Sequence, residues 1–159
     1  DVRDERLDDL FRICNDKSFP ILIHCGRVSN ARLNQYSDYE CILPIIQKYH
    51  ELPVILAHMA DGNAERCLEV SKKYNSVYFD TSIVITGYPE ILNVNEPSWP
   101  DDMEVVSIIN EIGAEKVVFG SDFPWGSPIH DLKRIMNLKL DYSQKELIFS
   151  GNAKRLFNL

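Results

Sequence analysis

Apolar residues in this chain alternate between short unbroken runs and stripes at helical spacing, a pattern that predicts strand-helix units. The runs are Pro20 to Gly26 (PILIHCG), Leu52 to His58 (LPVILAH), Val77 to Thr81 (VYFDT) and Val117 to Ser121 (VVFGS). Runs this aliphatic read as strands buried on both faces, as in a parallel sheet covered by helices. The stripes lie between them: Leu7, Leu10, Phe11 and Cys14 within Glu5 to Cys14, then Ile42, Ile45, Ile46 and Tyr49, then Ala64, Cys67, Leu68 and Tyr74, then Val105, Ile108, Ile109 and Ile112.

Start and stop signals divide these segments. Ser37-x-x-Glu40 and Ser143-x-x-Glu146 read as capping boxes, Asn63 and either Asp101 or Asp102 as N-caps, and Gly113 as a stop. Pro44 marks a kink or a first turn. Ile129 to Leu138 predicts a short helix, Leu147, Ile148 and Phe149 belong to the next, and Gly151 to Phe157 forms the last, with Ala153, Leu156 and Phe157 for burial. The loop carrying Pro89, Pro97 and Pro100 is too long for a bare strand-to-helix turn and reads as functional or mobile.

A leading helix followed by four strand-helix units implies a parallel sheet with right-handed crossovers. No Gly-x-Gly-x-x-Gly follows a strand, so a dinucleotide-binding fingerprint is missing. A complete (β/α)8 barrel takes about 250 residues. With 159 residues, the chain is expected to be one α/β domain over 1–159, TIM-barrel-like, its four units forming the C-terminal half of a barrel. The Pro20 to Cys25 and Val117 to Ser121 strands would then have open edges. We expect those edges to be covered by an N-terminal half of the same protein, by a second copy, or by the Glu5 to Cys14 helix.

The net charge of −7 and scattered basic residues, adjacent only at Lys72-Lys73, Lys133-Arg134 and Lys154-Arg155, offer no footprint for nucleic acid or an anionic membrane. No apolar run approaches the roughly 20 residues that span a bilayer. Cys14, Cys25, Cys41 and Cys67 lack Cys-x-x-Cys spacing, which argues against a zinc ribbon or a disulfide scaffold and for a reducing, cytoplasmic setting.

Chemistry enters at the strand ends. His24, His58 and Asp122 each follow a strand, and parallel neighbours present their carboxyl ends on one face, so the three are expected to converge there. Imidazole and carboxylate suit zinc or a similar divalent ion, whose bound water becomes a nucleophile near neutral pH. His50, at a helix end, and His130, beside Asp131, read as surface residues. Arg27, Trp125 and the Tyr88 to Pro100 loop are candidates to line a pocket for a small-molecule substrate. A phosphate-binding barrel would want a glycine-rich loop after the last strands, and Gly126 alone supports it weakly.

These stretches, together with Val118-Phe-Gly-Ser-Asp122-Phe-Pro124 and Gly151-Asn152-Ala153, resemble the last four strands and final helix of the amidohydrolase-related metal-dependent hydrolases. That group includes the aminocarboxymuconate-semialdehyde decarboxylase type. The resemblance covers essentially the whole chain and is most specific at Gly-Ser-Asp-x-Pro. It implies that His24 matches a metal ligand, that His58 acts on substrate or water or binds metal, and that Asp122 binds metal and shuttles protons. The implied reaction is hydrolysis by an activated water; the alternatives are a decarboxylase of the same family and a non-catalytic barrel fragment. The family's first-strand His-x-His pair has no counterpart here, because no histidine precedes His24.

Overall fold

A computed structural model describes residues 1–26, 31–84 and 100–159 of the chain. Four parallel strands, β1 (Ile21–Ile23), β2 (Val54–Leu56), β3 (Val77–Asp80) and β4 (Val117–Val118), form one sheet in the order β1-β2-β3-β4. Each strand therefore pairs with its predecessor in sequence, as in a segment of a (β/α) barrel. The strands are shorter than the apolar runs that predict them, so His24 lies one residue past β1 and Asp122 four past β4.

Side chains alternate across the sheet and divide it into two faces. Ile21 pairs with Val54 and Val54 with Val77; Ile23 pairs with Leu56, Leu56 with Phe79 and Phe79 with Val117. All of these join the main core beneath the helices. Leu22, Ile55 and Tyr78 occupy the intervening positions, and Ile55 and Val118 form a separate small cluster with Leu156 and Tyr78. That second face is the interior of the barrel segment. It stays open at β1, where Leu22 is 61 % exposed instead of buried on both faces as expected. The reason is position: among the described residues β1 has a neighbour on one side only.

Among the described residues the right-handed α-helices longer than four residues are α1 (Asp8–Asp16), α2 (Tyr39–Lys48), α3 (Ala64–Lys73), α4 (Asp102–Ile112), α5 (Pro128–Asn137), α6 (Tyr142–Glu146) and α7 (Asn152–Phe157). On α2 and α4 the predicted stripes are buried as expected. On α1 only Phe11 and Cys14 are buried, whereas Leu10 is 51 % exposed. Phe11 meets the ring of Tyr49 at 6.1 Å, the Tyr49 hydroxyl donates to the Asp8 carboxylate at 2.6 Å, and Lys48 pairs with the same carboxylate. These contacts seat α1 on the end of α2. On α3 the buried residues are Cys67 and Val70, and Ala64 is exposed at the first turn.

Asn63 caps α3, and Asp101 with Glu104 forms a capping box on α4. Of the two boxes predicted from serine, one moves and one does not form. The α6 box is Asp141 with Gln144, because Ser143 turns its hydroxyl onto the Asp141 carboxylate at 2.7 Å. At α2 the N-cap is Asp38 with no side-chain cap bond, and Ser37 is buried with its hydroxyl donating to the Gly26 carbonyl at 2.7 Å. Pro44 lies within α2. After α6 the chain makes a π-helical turn, Leu147–Gly151, whose Ile148 carbonyl accepts from Phe119 N–H at 2.9 Å. Asn152 is buried and donates to the carbonyls of Ala114 and Val117, both at 2.7 Å, tying α7 to the start of β4. Of the predicted apolar face of α7 only Leu156 is buried, and Phe157 is exposed. No helix among the described residues is long and apolar enough to cross a membrane.

Candidate active site

Beyond β2 the backbone turns left-handed, with φ of 60° at His58, 46° at Met59, 52° at Ala60, 66° at Asp61 and 67° at Gly62. Left-handed geometry costs an L-residue roughly 1–2 kcal/mol, so tertiary bonds must hold such a turn. One of them is visible: the His58 N–H donates to Asp80 Oδ1 at 2.9 Å. Asp80 is the last residue of β3 and is almost fully buried.

The same oxygen gathers two more donors, the Ser82 N–H at 3.0 Å and the Ser82 hydroxyl at 2.5 Å. Ser82 Oγ then stands 2.8 Å from His58 Nδ1, and the Ser82 carbonyl oxygen 3.3 Å from it. On the far side of the ring, His58 Nε2 is 2.9 Å from His24 Nδ1, the two rings meeting edge to face with centroids 4.8 Å apart. His24 Nε2 lies 3.2 Å from the Gly26 carbonyl. Hydrogen bonds thus run from buried Asp80 through Ser82 to His58, whose far nitrogen faces His24.

Gly120 makes room for this chain. A Cβ there would lie 3.0 Å from Asp80 Cγ, tighter than packing tolerates. Thr81 fixes the same crossing, its hydroxyl donating to the Gly120 carbonyl at 3.2 Å and accepting from the Gly120 N–H at 3.1 Å.

His24, His58, Asp80, Ser82 and Asp122 share a cleft of about 270 Å³ with Leu22 on its wall. The three predicted site residues His24, His58 and Asp122 are therefore brought to one place. The atoms packed around its ring, and secondarily the neighbouring His58, push the His24 pKa below the ordinary imidazole range, against the opposing pull of the Gly26 carbonyl, Asp122 and Asp61. Trp125 is 57 % exposed and is not among the residues lining this cleft. Arg27 lies outside the described residues, as does the Tyr88 to Pro100 loop apart from Pro100. His50 and His130 are exposed. Ser82 was not singled out from the sequence. The available signal is the Asp80-x-Ser82 spacing at a strand exit, since alternate residues on an extended chain face the same side.

The donors are of the right chemistry for a divalent metal, but a catalytic zinc site takes three protein ligands. Among the described residues no group of three or more His, Cys, Asp or Glu side chains is arranged to hold an ion. These residues therefore do not complete a metal site by themselves.

Parallel β/α units with imidazoles and a carboxylate gathered past the strand ends define a partial (β/α) barrel with its site at the carboxyl face. The chain belongs to the amidohydrolase family, whose profile matches residues 1–159. No curated protein sequence matches it. Among solved structures, an uncharacterised TIM-barrel protein from Bordetella bronchiseptica is 21% identical with a TM-score of 0.79, covering 99% of this chain and 52% of that one. An amidohydrolase from Burkholderia multivorans with bound zinc is 14% identical with a TM-score of 0.70, over 99% of this chain and 59% of its own. A dihydroxybenzoic acid decarboxylase from Polaromonas, with bound manganese and the inhibitor 2-nitroresorcinol, is 17% identical with a TM-score of 0.64, over 99% and 55%. The chain thus spans little more than half the length of these structures, and the likeness to them shows a shared fold.

Proposed function

We propose that this chain carries the acid-base half of an active site in a metal-dependent enzyme of the amidohydrolase family, acting on a small polar substrate. The observation that carries the reading is the meeting of His58 Nε2 and His24 Nδ1 at 2.9 Å in the cleft that Asp122 also lines. In this reading His24 and Asp122 are metal ligands and His58 and Asp122 move protons, with further ligands coming from other units of the barrel. A bound zinc or similar divalent ion would supply Lewis acidity, lowering the pKa of water or polarising a carbonyl.

Hydrolysis is the first reading, with a carboxylated compound, amide or ester as substrate. His58 Nε2, facing the cleft, takes a proton from water at the reacting centre or returns one to the leaving group. Arg27 and Trp125 are proposed to contact the substrate. Decarboxylation is the second reading, favoured by fold likeness to the Polaromonas decarboxylase; His58 would then protonate the carbon that loses carbon dioxide. The four free, buried cysteines agree with a reducing, cytoplasmic setting.

Metal analysis of the full-length protein, followed by chelation and re-addition of zinc or manganese, tests the proposal. Assays for ester or amide cleavage and for carbon dioxide release should show activity that disappears and returns with the ion. Full activity of metal-free protein would overturn it.

The same reading assigns the open inner face to the remaining units of the barrel. Leu22 at 61 % exposure is the supporting observation, and burial is worth roughly 25 cal/mol per Å² of apolar surface. Sedimentation of residues 1–159 alone should then reveal association or partial unfolding. A cooperatively folding monomer would argue against it.

A further inference from the structure

We infer that Ser82 and Asp80 are positioning residues that lock His58 in the tautomer carrying hydrogen on Nδ1, so that Nε2 faces the cleft as a bare lone pair. Asp80 Oδ1 takes the Ser82 hydroxyl hydrogen at 2.5 Å, the shortest of its three bonds, as well as the backbone N–H groups of Ser82 and His58. With its hydrogen committed to Asp80, Ser82 Oγ offers only lone pairs to His58 Nδ1 at 2.8 Å. The second neighbour of Nδ1, the Ser82 carbonyl at 3.3 Å, can only accept. Both partners therefore require a hydrogen on Nδ1, and a neutral ring then has none on Nε2.

His24 follows the same logic from the opposite side. Among the described residues its Nε2 meets the Gly26 carbonyl at 3.2 Å, which must accept, so this contact favours a hydrogen on Nε2 and a lone pair on Nδ1. With both rings in these forms, the 2.9 Å contact between His58 Nε2 and His24 Nδ1 becomes a hydrogen bond when one further proton sits between them. The network is also built in space: Asp80 is 4 % exposed, Ser82 2 % and His58 6 %, and Gly120 lacks the Cβ that would press on Asp80. A serine hydroxyl left free could donate to Nδ1 and favour the opposite tautomer. The buried carboxylate removes that choice.

This inference rests on the proposed role of His58 for its purpose, but the tautomer is measured without substrate. Long-range proton-nitrogen correlation on full-length protein labelled with ¹⁵N-histidine should give His58 a pyrrole-type Nδ1. In Ser82→Ala the ratio of Nδ1–H to Nε2–H forms should fall about tenfold, the scale of one hydrogen bond. Ser82→Thr, which keeps the hydroxyl, should restore the ratio. A pyridine-type Nδ1 in the wild-type protein would overturn the lock, and that result is available even where the alanine variant does not fold. An unchanged ratio in a folded Ser82→Ala protein would equally overturn it. A wild-type Nδ1–H signal in a protein that proves to need no metal would count against the proposed function and leave the lock standing.

Discussion

His58 Nε2 and His24 Nδ1 stand 2.9 Å apart, although the residues are 34 positions apart in the chain. Parallel pairing of β1 with β2 brings their exits together, and the left-handed turn at His58 turns the second ring toward the first. This contact lies at the centre of the candidate site.

Asp122→Asn keeps the shape of the side chain and removes its charge. On the proposed function, turnover of the full-length protein should fall by about 10² to 10⁴, the usual scale for a lost acid-base group, while the melting temperature changes little. Near-normal turnover would remove Asp122 from the site.

Gly120→Ala puts a methyl group against Asp80, with Cγ at 3.0 Å and Oδ2 at 3.1 Å. Asp80 is buried and holds three donors, so it has little freedom to retreat. Overpacking of this kind costs about 1–3 kcal/mol, to be read by denaturant unfolding. An unchanged midpoint would show that the two elements separate easily.

Asn152→Ala removes a buried amide that serves the carbonyls of Ala114 and Val117. Leaving such groups without a partner costs about 1–3 kcal/mol, so the variant should melt several degrees lower. Because Asn152 is remote from the cleft in the hydrogen-bond network, turnover measured below the melting transition should hold.

Burial pushes the Cys25 and Cys67 thiols up to about 12 from an ordinary 9.0. Between those values the unfolded chain gives up protons that the folded chain keeps, so stability is full below pH 9 and declines as pH rises toward 12. All four cysteines are buried and free. A thiol reagent at pH 8 should therefore react with the native protein far more slowly than with the denatured one. Rapid native labelling of Cys25 or Cys67 would contradict this burial.

Local pattern in the sequence determined the alternation of strands and helices, the parallel sheet and the placement of His24, His58 and Asp122 past strand ends. Each of these follows from spacing along the chain, because the strand and helix periods are local properties. The Asn63 cap and the isoleucine faces of α2 and α4 were legible for the same reason. Tertiary structure decided what depends on distant neighbours. Ser37 left its expected cap for the Gly26 carbonyl, and Leu10 and Leu22 stayed exposed because nothing described packs over them. Hydrogen bonding among Asp80, Ser82 and His58 has no local signature, since it joins a strand exit to a turn 22 to 24 residues earlier. Which hydroxyl meets which ring nitrogen is settled by angles and fractions of an ångström, quantities that a linear pattern of apolar and polar residues does not contain.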